Sequence, residues 1–344
     1  MDFQNQAKEL APKIDEVIQK TLQQWFEDAK TKTSDLDQVL ALLTEASIGG
    51  KRLRGMLIIL GYKLAGKEYT PDILDAAAAI EIFQTAILAH DDIIDQSPLR
   101  RGKPTIYKAL GMDHYAISQT ICLGDMGLFL GAKLIADSNF EPEYKNKALS
   151  LFCQMVINTG LGEMLDVELP RLESSKTEQA VLTIHQLKTA YYTIIYPLTI
   201  GAILGGAKED LLKKFEQYGN DLGIAFQIQD DILGVFGDEK VLGKSVTSDI
   251  EEGKNTLLIT EALKNATPQQ KEILDTYYGK GEVSQEGLNE IRKVFEQSGS
   301  LEYSREKALE YVNRAKSMIP EITQNTELQK LLADFSDYLI NRNK

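Results

Sequence analysis

Residues 89–105 read AHDDIIDQSPLRRGKPT. Asp91, Asp92 and Asp95 crowd into one helical turn, and Arg100 and Arg101 follow side by side. Apolar residues between 72 and 94 recur at helical spacing, so the acidic run ends a long helix. Asp91 and Asp95 stand at i and i+4 and project from one face of that helix. Like charges at that spacing destabilise a helix by a few tenths of a kcal/mol. The helix C-terminus also disfavours anions. A bound cation reverses both effects. Hard carboxylate oxygens suit Mg2+, which takes one or two carboxylates and completes its shell with water and substrate phosphate. Taken alone, the run reads equally well as a solvated helix end.

A second run tips the balance. Gln229-Asp230-Asp231-Ile232-Leu233-Gly234 echoes His90-Asp91-Asp92-Ile93-Ile94-Asp95, and each follows an apolar helical stretch. Two helices ending in carboxylates would face each other across one cavity. His90, His114 and His185 are the only histidines. They form no cluster of the kind a zinc site uses, and His90 reads as a local hydrogen-bonding residue. Cations flank both runs. Gly49-Gly50-Lys51-Arg52-Leu53-Arg54 opens an earlier helix, where backbone N–H groups favour an anion. Lys188 precedes an uncharged stretch, and Lys244 and Lys254 follow the second run. Arginine grips phosphate bidentately and lysine supplies a compact charge. Most of the 38 lysines and arginines read as ordinary surface; these few lie in glycine-containing loops beside acidic runs.

The chain has 344 residues, 43% of them hydrophobic and 26% charged, with a formal net charge of −13. Such a chain buries a sizeable core, and its acidity argues against nucleic acid and anionic membranes as partners. Cys122 and Cys153 lie in apolar helical patterns and are expected in the core, without a disulfide framework. MDFQNQAKEL lacks the basic-then-apolar order of a secretory signal. TAYYTIIYPLTIGAILGGA, residues 189–207, has no charge and touches transmembrane length. Its tyrosines, glycines and proline favour a buried helix of a protein with no membrane span.

Helical periodicity covers 5–29, 53–65, 72–94, 115–137, 143–169, 178–205, 209–236, 256–264, 268–278, 286–297, 303–317 and 327–341. No convincing strand and no flexible linker interrupts it. The expectation is an all-α chain, residues 1–344 forming a single domain.

GGKRLR, HDDIID…LRRGKPT, LKTAYY, FQIQDDILGVFGD, GKSVTSD and EGKNT stand in this order between residues 49 and 256. In order and spacing they resemble the trans-isoprenyl diphosphate synthases (polyprenyl synthetases), most closely the short-chain archaeal type. The resemblance implies the isoprenoid synthase type I fold, a helical bundle around a central cavity. It implies a cytoplasmic homodimer that joins isopentenyl diphosphate to dimethylallyl, geranyl or farnesyl diphosphate. It also implies Mg2+, about three ions per active site with Mn2+ as a substitute. Carried over position by position, Asp91, Asp95 and Asp230 match metal ligands, and Asp92 and Asp231 match supporting acids. Arg100, Lys188, Lys244 and Lys254 match contacts to the allylic diphosphate. Thr189 and Gln227 match polar groups near the developing cation. Lys51, Arg54 and Arg101 match the isopentenyl diphosphate site.

Two positions depart from the family pattern. Gln84 stands where a histidine that contacts isopentenyl diphosphate is usual; glutamine hydrogen-bonds but carries no charge. Gly234 replaces the last aspartate of the second run, which leaves Asp230, with Asp231, to hold the third metal. Product length is expected to depend on Phe83, Ala86 and Ile87 on the helix before the first run. Ala86 is small, so Phe83, about one turn deeper (roughly 5 Å), becomes the floor. C20 is favoured, with C15 to C25 as the range. Two other readings stay open. One is a cyclase or head-to-head synthase of the same fold, which has no need of Lys51, Arg54 and Arg101. The other is a non-catalytic subunit, which would be expected to have lost acidic residues.

Overall fold

In this computed structural model the described residues are 3–172, 177–243 and 245–341. The chain begins with α1 (Phe3–Lys30), α2 (Asp37–Ser47), α3 (Leu53–Leu64) and α4 (Ile73–Ile94). A small hairpin, β1 (Leu99–Arg100) and β2 (Lys103–Pro104), leads to α5 (Ile106–Ala109), α6 (His114–Asp137) and α7 (Pro142–Glu168). α8 (Glu178–Ile184) passes into a π-helical segment, His185–Ile195, and then α9 (Tyr196–Leu204). α10 (Glu209–Phe236) precedes α11 (Glu239–Leu242), α12 (Ser248–Glu251), α13 (Leu257–Asn265) and α14 (Pro268–Tyr277). α15 (Gln285–Gln297), α16 (Ser300–Ser317), α17 (Ile319–Ile322) and α18 (Thr326–Ile340) complete the chain. Each periodic block predicted from sequence is helical, with ends within a few residues. α2, the hairpin and the short helices α5, α11, α12 and α17 were not expected. Strands of two residues are too short to show an alternating pattern.

Two compact units divide the chain. The first comprises Met1–Gln154, Tyr196–Phe215 and Asn325–Leu331; the second comprises Met155–Ile195, Glu216–Gln324 and Leu332–Lys344. In the first unit α4 is the central element, with Ala76, Ala77, Ile80, Ile82 and Phe83 fully buried. α6 approaches it closely because glycines face its alanines. A Cβ added at Gly127 would lie 2.8 Å from that of Ala86, and one at Gly131 would lie 2.8 Å from the Ala79 carbonyl. Below this contact the Phe83 ring meets Phe152 edge-on, centroids 5.6 Å apart. In the second unit, Ile228 and Ile232 of α10 share a core with Leu257, Leu258, Ile291 and Phe295. The buried Tyr218 hydroxyl there donates to the Leu332 carbonyl at 3.1 Å and meets Ser336 Oγ at the same distance.

The cysteine expectation is corrected: Cys122 and Cys153 are exposed free thiols. Both helices are apolar on more than one face, and each cysteine sits on the outer one. Around them α6 exposes Tyr115, Ile121 and Phe129, and α7 exposes Ile157, Leu161 and Met164. By length and composition alone, Ile73–Ile94, His114–Asp137 and Pro142–Arg171 are long and apolar enough to cross a membrane. The α4 window is mostly buried; the other two are mostly not. The uncharged 189–207 stretch is largely buried, and is split between the π segment and α9.

Candidate active site

The first unit explains why one stretch carries both signs of charge. α4 ends at Asp95 with Gln96 in the left-handed conformation, φ 50°. Gln96 N–H donates to the Ile93 carbonyl and Ser97 N–H to the Asp92 carbonyl, a Schellman closure. The hairpin then turns on Arg101 (φ 55°) and Gly102 (φ 73°), the paired positive angles of a type I′ turn. This returns Arg100 to the acidic run. Its Nε donates to Asp92 Oδ1 at 2.7 Å and its Nη2 to Asp91 Oδ2 at 2.8 Å. Asp92 is the inner acid, 4% exposed; Asp91 and Asp95 are half-buried. Burial lifts the Asp92 carboxyl to about 6, against the pull of Arg100. Burial also works against the Arg100 charge, but Asp91, Asp92 and Asp95 outweigh it and raise the guanidinium above its usual range.

Asp91 and Asp95 each present an oxygen within 4.8 Å of the other. That spacing and the all-oxygen donor set fit a hard divalent cation completed by water and phosphate. Gln84 is half-buried on the same face of α4 as Asp91, two turns earlier. Phe83 and Ala86 are fully buried and Ile87 is half-buried. His90 is a hydrogen-bonding residue, but its partner is not local: its Nε2 lies 3.2 Å from the Ile121 carbonyl of α6, in a notch at Gly124.

Arg101 turns away from the acidic run. Its Nη1 donates to the Gly49 carbonyl at 3.4 Å, and a Cβ at Gly50 would lie 2.9 Å from that nitrogen. The hairpin therefore joins Arg101 to the segment carrying Lys51 and Arg54. Burial lowers the Arg101 guanidinium, Glu81 opposing and Arg54, Arg52 and Arg100 reinforcing it.

In the second unit the π segment carries Lys188 and Thr189. It lies backbone to backbone between two helices. A Cβ at Gly162 of α7 would fall 2.3 Å from the Lys188 nitrogen, and one at Gly223 of α10 would fall 2.3 Å from Ala190 Cβ. Wide helical turns of this kind recur at functional sites. Thr189 donates its hydroxyl to Gln227 Oε1 at 2.6 Å, and Gln227 Nε2 donates to Asp231 Oδ1 at 2.8 Å. His185 Nε2 meets the other oxygen, Asp231 Oδ2, at 3.0 Å. Asp231 is thus the buried member of its run, held at both oxygens, while Asp230 is half-buried. The run lies more than a turn before the end of α10, so only the first run truly ends its helix. Lys188 Nζ lies between Glu163, at 2.8 Å, and Asp166, at 2.6 Å. Lys254 lies 3.2 Å from Glu252 and 3.6 Å from Asp249, and its carbonyl accepts from the half-buried Tyr278 hydroxyl. Lys244 lies outside the described residues.

A Cβ at position 234 would lie 2.2 Å from Asp249 Oδ2, so Gly234 leaves room for a carboxylate from α12. His185, Glu163, Asp166 and Asp249 were not singled out from sequence. A signal existed for Glu163 and Asp166, which stand at i and i+3 near the end of an apolar helix; none marked His185 as a partner of Asp231.

A chain that is helical but for one small hairpin among the described residues, with two acidic runs that each hold the inner acid in place with their own hydrogen-bond donors, has the fold of the type I isoprenoid synthases. The chain belongs to the polyprenyl synthetase family, whose model matches residues 33–295. It is 35% identical to the geranylgeranyl diphosphate synthase of Saccharolobus solfataricus over 303 residues, 86% of this chain and 87% of that protein. It is also 35% identical to the geranylfarnesyl diphosphate synthase of Aeropyrum pernix over 302 residues, 86% of this chain and 91% of that one. The crystal structure of a geranylgeranyl pyrophosphate synthase from Corynebacterium glutamicum, complexed with isoprenyl diphosphate and magnesium, matches with a TM-score of 0.89. That match has 28% identity and covers 99% of this chain and all of the other.

Proposed function

We propose that this chain is a short-chain trans-prenyl diphosphate synthase. It condenses isopentenyl diphosphate with dimethylallyl, geranyl or farnesyl diphosphate, head to tail, and releases diphosphate. The observation that carries this reading is the divergence of two neighbouring arginines. Arg100 faces the acidic run, whereas Arg101 faces the Gly49–Gly50 loop beside Lys51 and Arg54. Two cationic groups serve two diphosphates. A cyclase handles one diphosphate, and a non-catalytic subunit has no use for an intact first run.

In this reading Asp91 and Asp95 of the first unit would hold Mg2+, as would Asp230 of the second, and the bound metal would supply positive charge to a departing diphosphate. Arg100, Lys188 and Lys254, with Lys244, bind the allylic diphosphate. The allylic C–O bond breaks with its electron pair leaving on the diphosphate. The alkene of isopentenyl diphosphate supplies the pair for the new C–C bond, and a proton is lost. Thr189 donates its hydroxyl proton to Gln227, which leaves its lone pairs to serve a developing cation. Lys51, Arg54, Gln84 and Arg101 bind isopentenyl diphosphate, and Phe83, Ala86 and Ile87 set a C20 product. Residues 1–344 act as one catalytic domain in the cytoplasm, and a second copy covers the exposed apolar faces of α6 and α7.

The deciding experiment is incubation with isopentenyl diphosphate, Mg2+ and each starter (C5, C10 or C15), with sizing of the products. Release of a cyclic hydrocarbon, or no consumption of isopentenyl diphosphate, defeats the reading. Ultracentrifugation checks the dimer, which should dissociate on Phe129→Glu.

A further inference from the structure

We propose that the buried pair Arg52–Glu81 is a positioning device for the diphosphate of isopentenyl diphosphate. This deepens the reading of Lys51, Arg54 and Arg101 as its contacts and rests on that reading. In sequence Arg52 is one of three similar cations in GGKRLR; in the structure it behaves unlike the others. Its backbone is left-handed, φ 52°, a conformation that costs a non-glycine residue about 1 kcal/mol. Its side chain points inward and is 3% exposed.

Three elements hold it there. Arg52 Nε donates to Asp15 Oδ1 of α1 at 2.5 Å, and Nη2 to the Ser47 carbonyl at the end of α2 at 2.6 Å. Nη1 lies 3.5 Å from Glu81 Oε2 of α4. Glu81 is equally buried, and its other oxygen accepts the Gly55 N–H in the first turn of α3, at 2.9 Å. One carboxylate therefore fixes the start of α3 twice, through a backbone N–H and through Arg52. The left-handed residue sits between Lys51 and Leu53, so its anchoring sets the direction in which Lys51 leaves the loop and α3 presents Arg54. Glu81 also supplies negative charge to Arg101, whose guanidinium is lowered by burial and by the nearby Arg54, Arg52 and Arg100 charges. The pair holds three arginines together before any anion arrives, and a preorganised site binds more tightly than one that must order itself.

The test uses Arg52→Met, Glu81→Gln and the double variant in the full chain, with Arg54→Met as reference. Steady-state kinetics, isopentenyl diphosphate titration calorimetry and thermal melting are measured for each. Each single variant should raise the KM for isopentenyl diphosphate by about tenfold or more. The KM for the allylic substrate should stay within about twofold, and calorimetry should show the matching loss of affinity. Each single variant strands a buried charge and should melt earlier. The double variant removes both charges, so its melting temperature should recover while its KM stays high. Recovery of both, or single variants that change only the melting temperature, overturns the proposal. Should a single variant not fold, Asp15→Asn at the more exposed end and Arg52→Lys give the same comparison in milder form. An Arg54→Met protein with unchanged KM for isopentenyl diphosphate shows instead that the pocket itself is misassigned.

Discussion

HDDIID and QDDILG are nearly the same word, and the two regions that contain them use it in the same way up to a point. In each the second aspartate is buried, Asp92 at 4% and Asp231 at 9% exposure, while Asp91, Asp95 and Asp230 remain half-open. Each run thus has outer acids and an inner one. The inner acids differ in what holds them. Asp92 is gripped by a cation that the chain delivers within eight residues, through a hairpin. Asp231 is gripped by an amide four residues back on its own helix and by an imidazole from the distant π segment. The first run is therefore a local device, complete within one stretch. The second exists only once α10 has packed against the π segment. A motif can repeat its ligands without repeating their support.

The strongest way to break this comparison is to show that the outer acids are not equivalent. Asp91→Ala and Asp230→Ala should each lower turnover by roughly 100-fold or more, the scale of losing one charge-stabilising group. Circular dichroism and melting should show an intact fold, because neither residue is part of a core. Activity should vanish in excess chelator and return with Mg2+ or Mn2+. Full turnover in chelator removes the metal assignment for both runs.

The inner acids should separate next. His185→Phe leaves Asp231 with one donor and loosens Gln227 and, through it, Thr189. Residues that orient a site in this way are typically worth about 10–100-fold. The loss should fall on kcat, with both KM values little changed, and the ratio of hydrolysed starter to condensed product should rise as the cation is less well held. His185→Gln, which keeps a donor, should restore part of the rate. An increase in KM for the allylic substrate alone places His185 with Lys188 instead.

These assignments show what was readable before the fold. The helices were, because a stripe such as Leu10, Ile14, Ile18 and Leu22 states its period outright. The acidic runs and the basic loops were, because their charges are conspicuous beside apolar helices. The π segment was not: in TAYYTII no charged residue marks which face is which, so a widened turn leaves no trace. Arg52 was indistinguishable from Lys51 and Arg54, since only packing tells which of three cations turns inward. Asp249 and His185 act on residues 15 and 46 positions away, and a pairing of that kind appears only when helices are brought together. The cysteines misled for the same reason, because an apolar helix does not announce which face is left outside.

A smaller effect distinguishes the inner acid of the first run. The folded pKa of Asp92, about 6, lies above its ordinary value of 3.8. The folded chain then holds this proton more tightly than the unfolded one. The contribution of Asp92 is greatest below pH 4 and declines as pH rises through 6. Asp92→Asn cannot ionise, so in metal-free protein it should gain on the parent between pH 4 and 7, by at most roughly 3 kcal/mol. Denaturant unfolding at the two pH values measures the difference. A difference that does not change with pH means that Arg100 fully offsets the burial of Asp92.

The last contrast lies deeper along the two helices. Eight residues before the first run stands Phe83, and the corresponding residue before Asp230 is Leu222; both are fully buried. The neighbour of Leu222 is Gly223, whose Cα is pressed against Ala190. α10 at this depth is therefore filled by the π segment. α4 at the same depth instead ends in an aromatic ring that touches Phe152 edge-on. Phe83→Ala should accordingly lengthen the product by about one isoprene unit, since one helical turn is roughly 5 Å. Leu222→Ala should lower stability, by about 2–5 kcal/mol for a buried leucine, and leave product length unchanged. The void left by Phe83→Ala should be costly in the free enzyme and less so with a long product bound, so melting in the presence of product should narrow the gap to the parent. Ala86→Phe works in the opposite sense, toward C15, and has less room because Gly127 meets Ala86 head-on. Product sizing of the three variants decides the matter. If Phe83→Ala and Leu222→Ala behave alike, with stability lowered and product length fixed, Phe83 is ordinary core and the floor is set elsewhere.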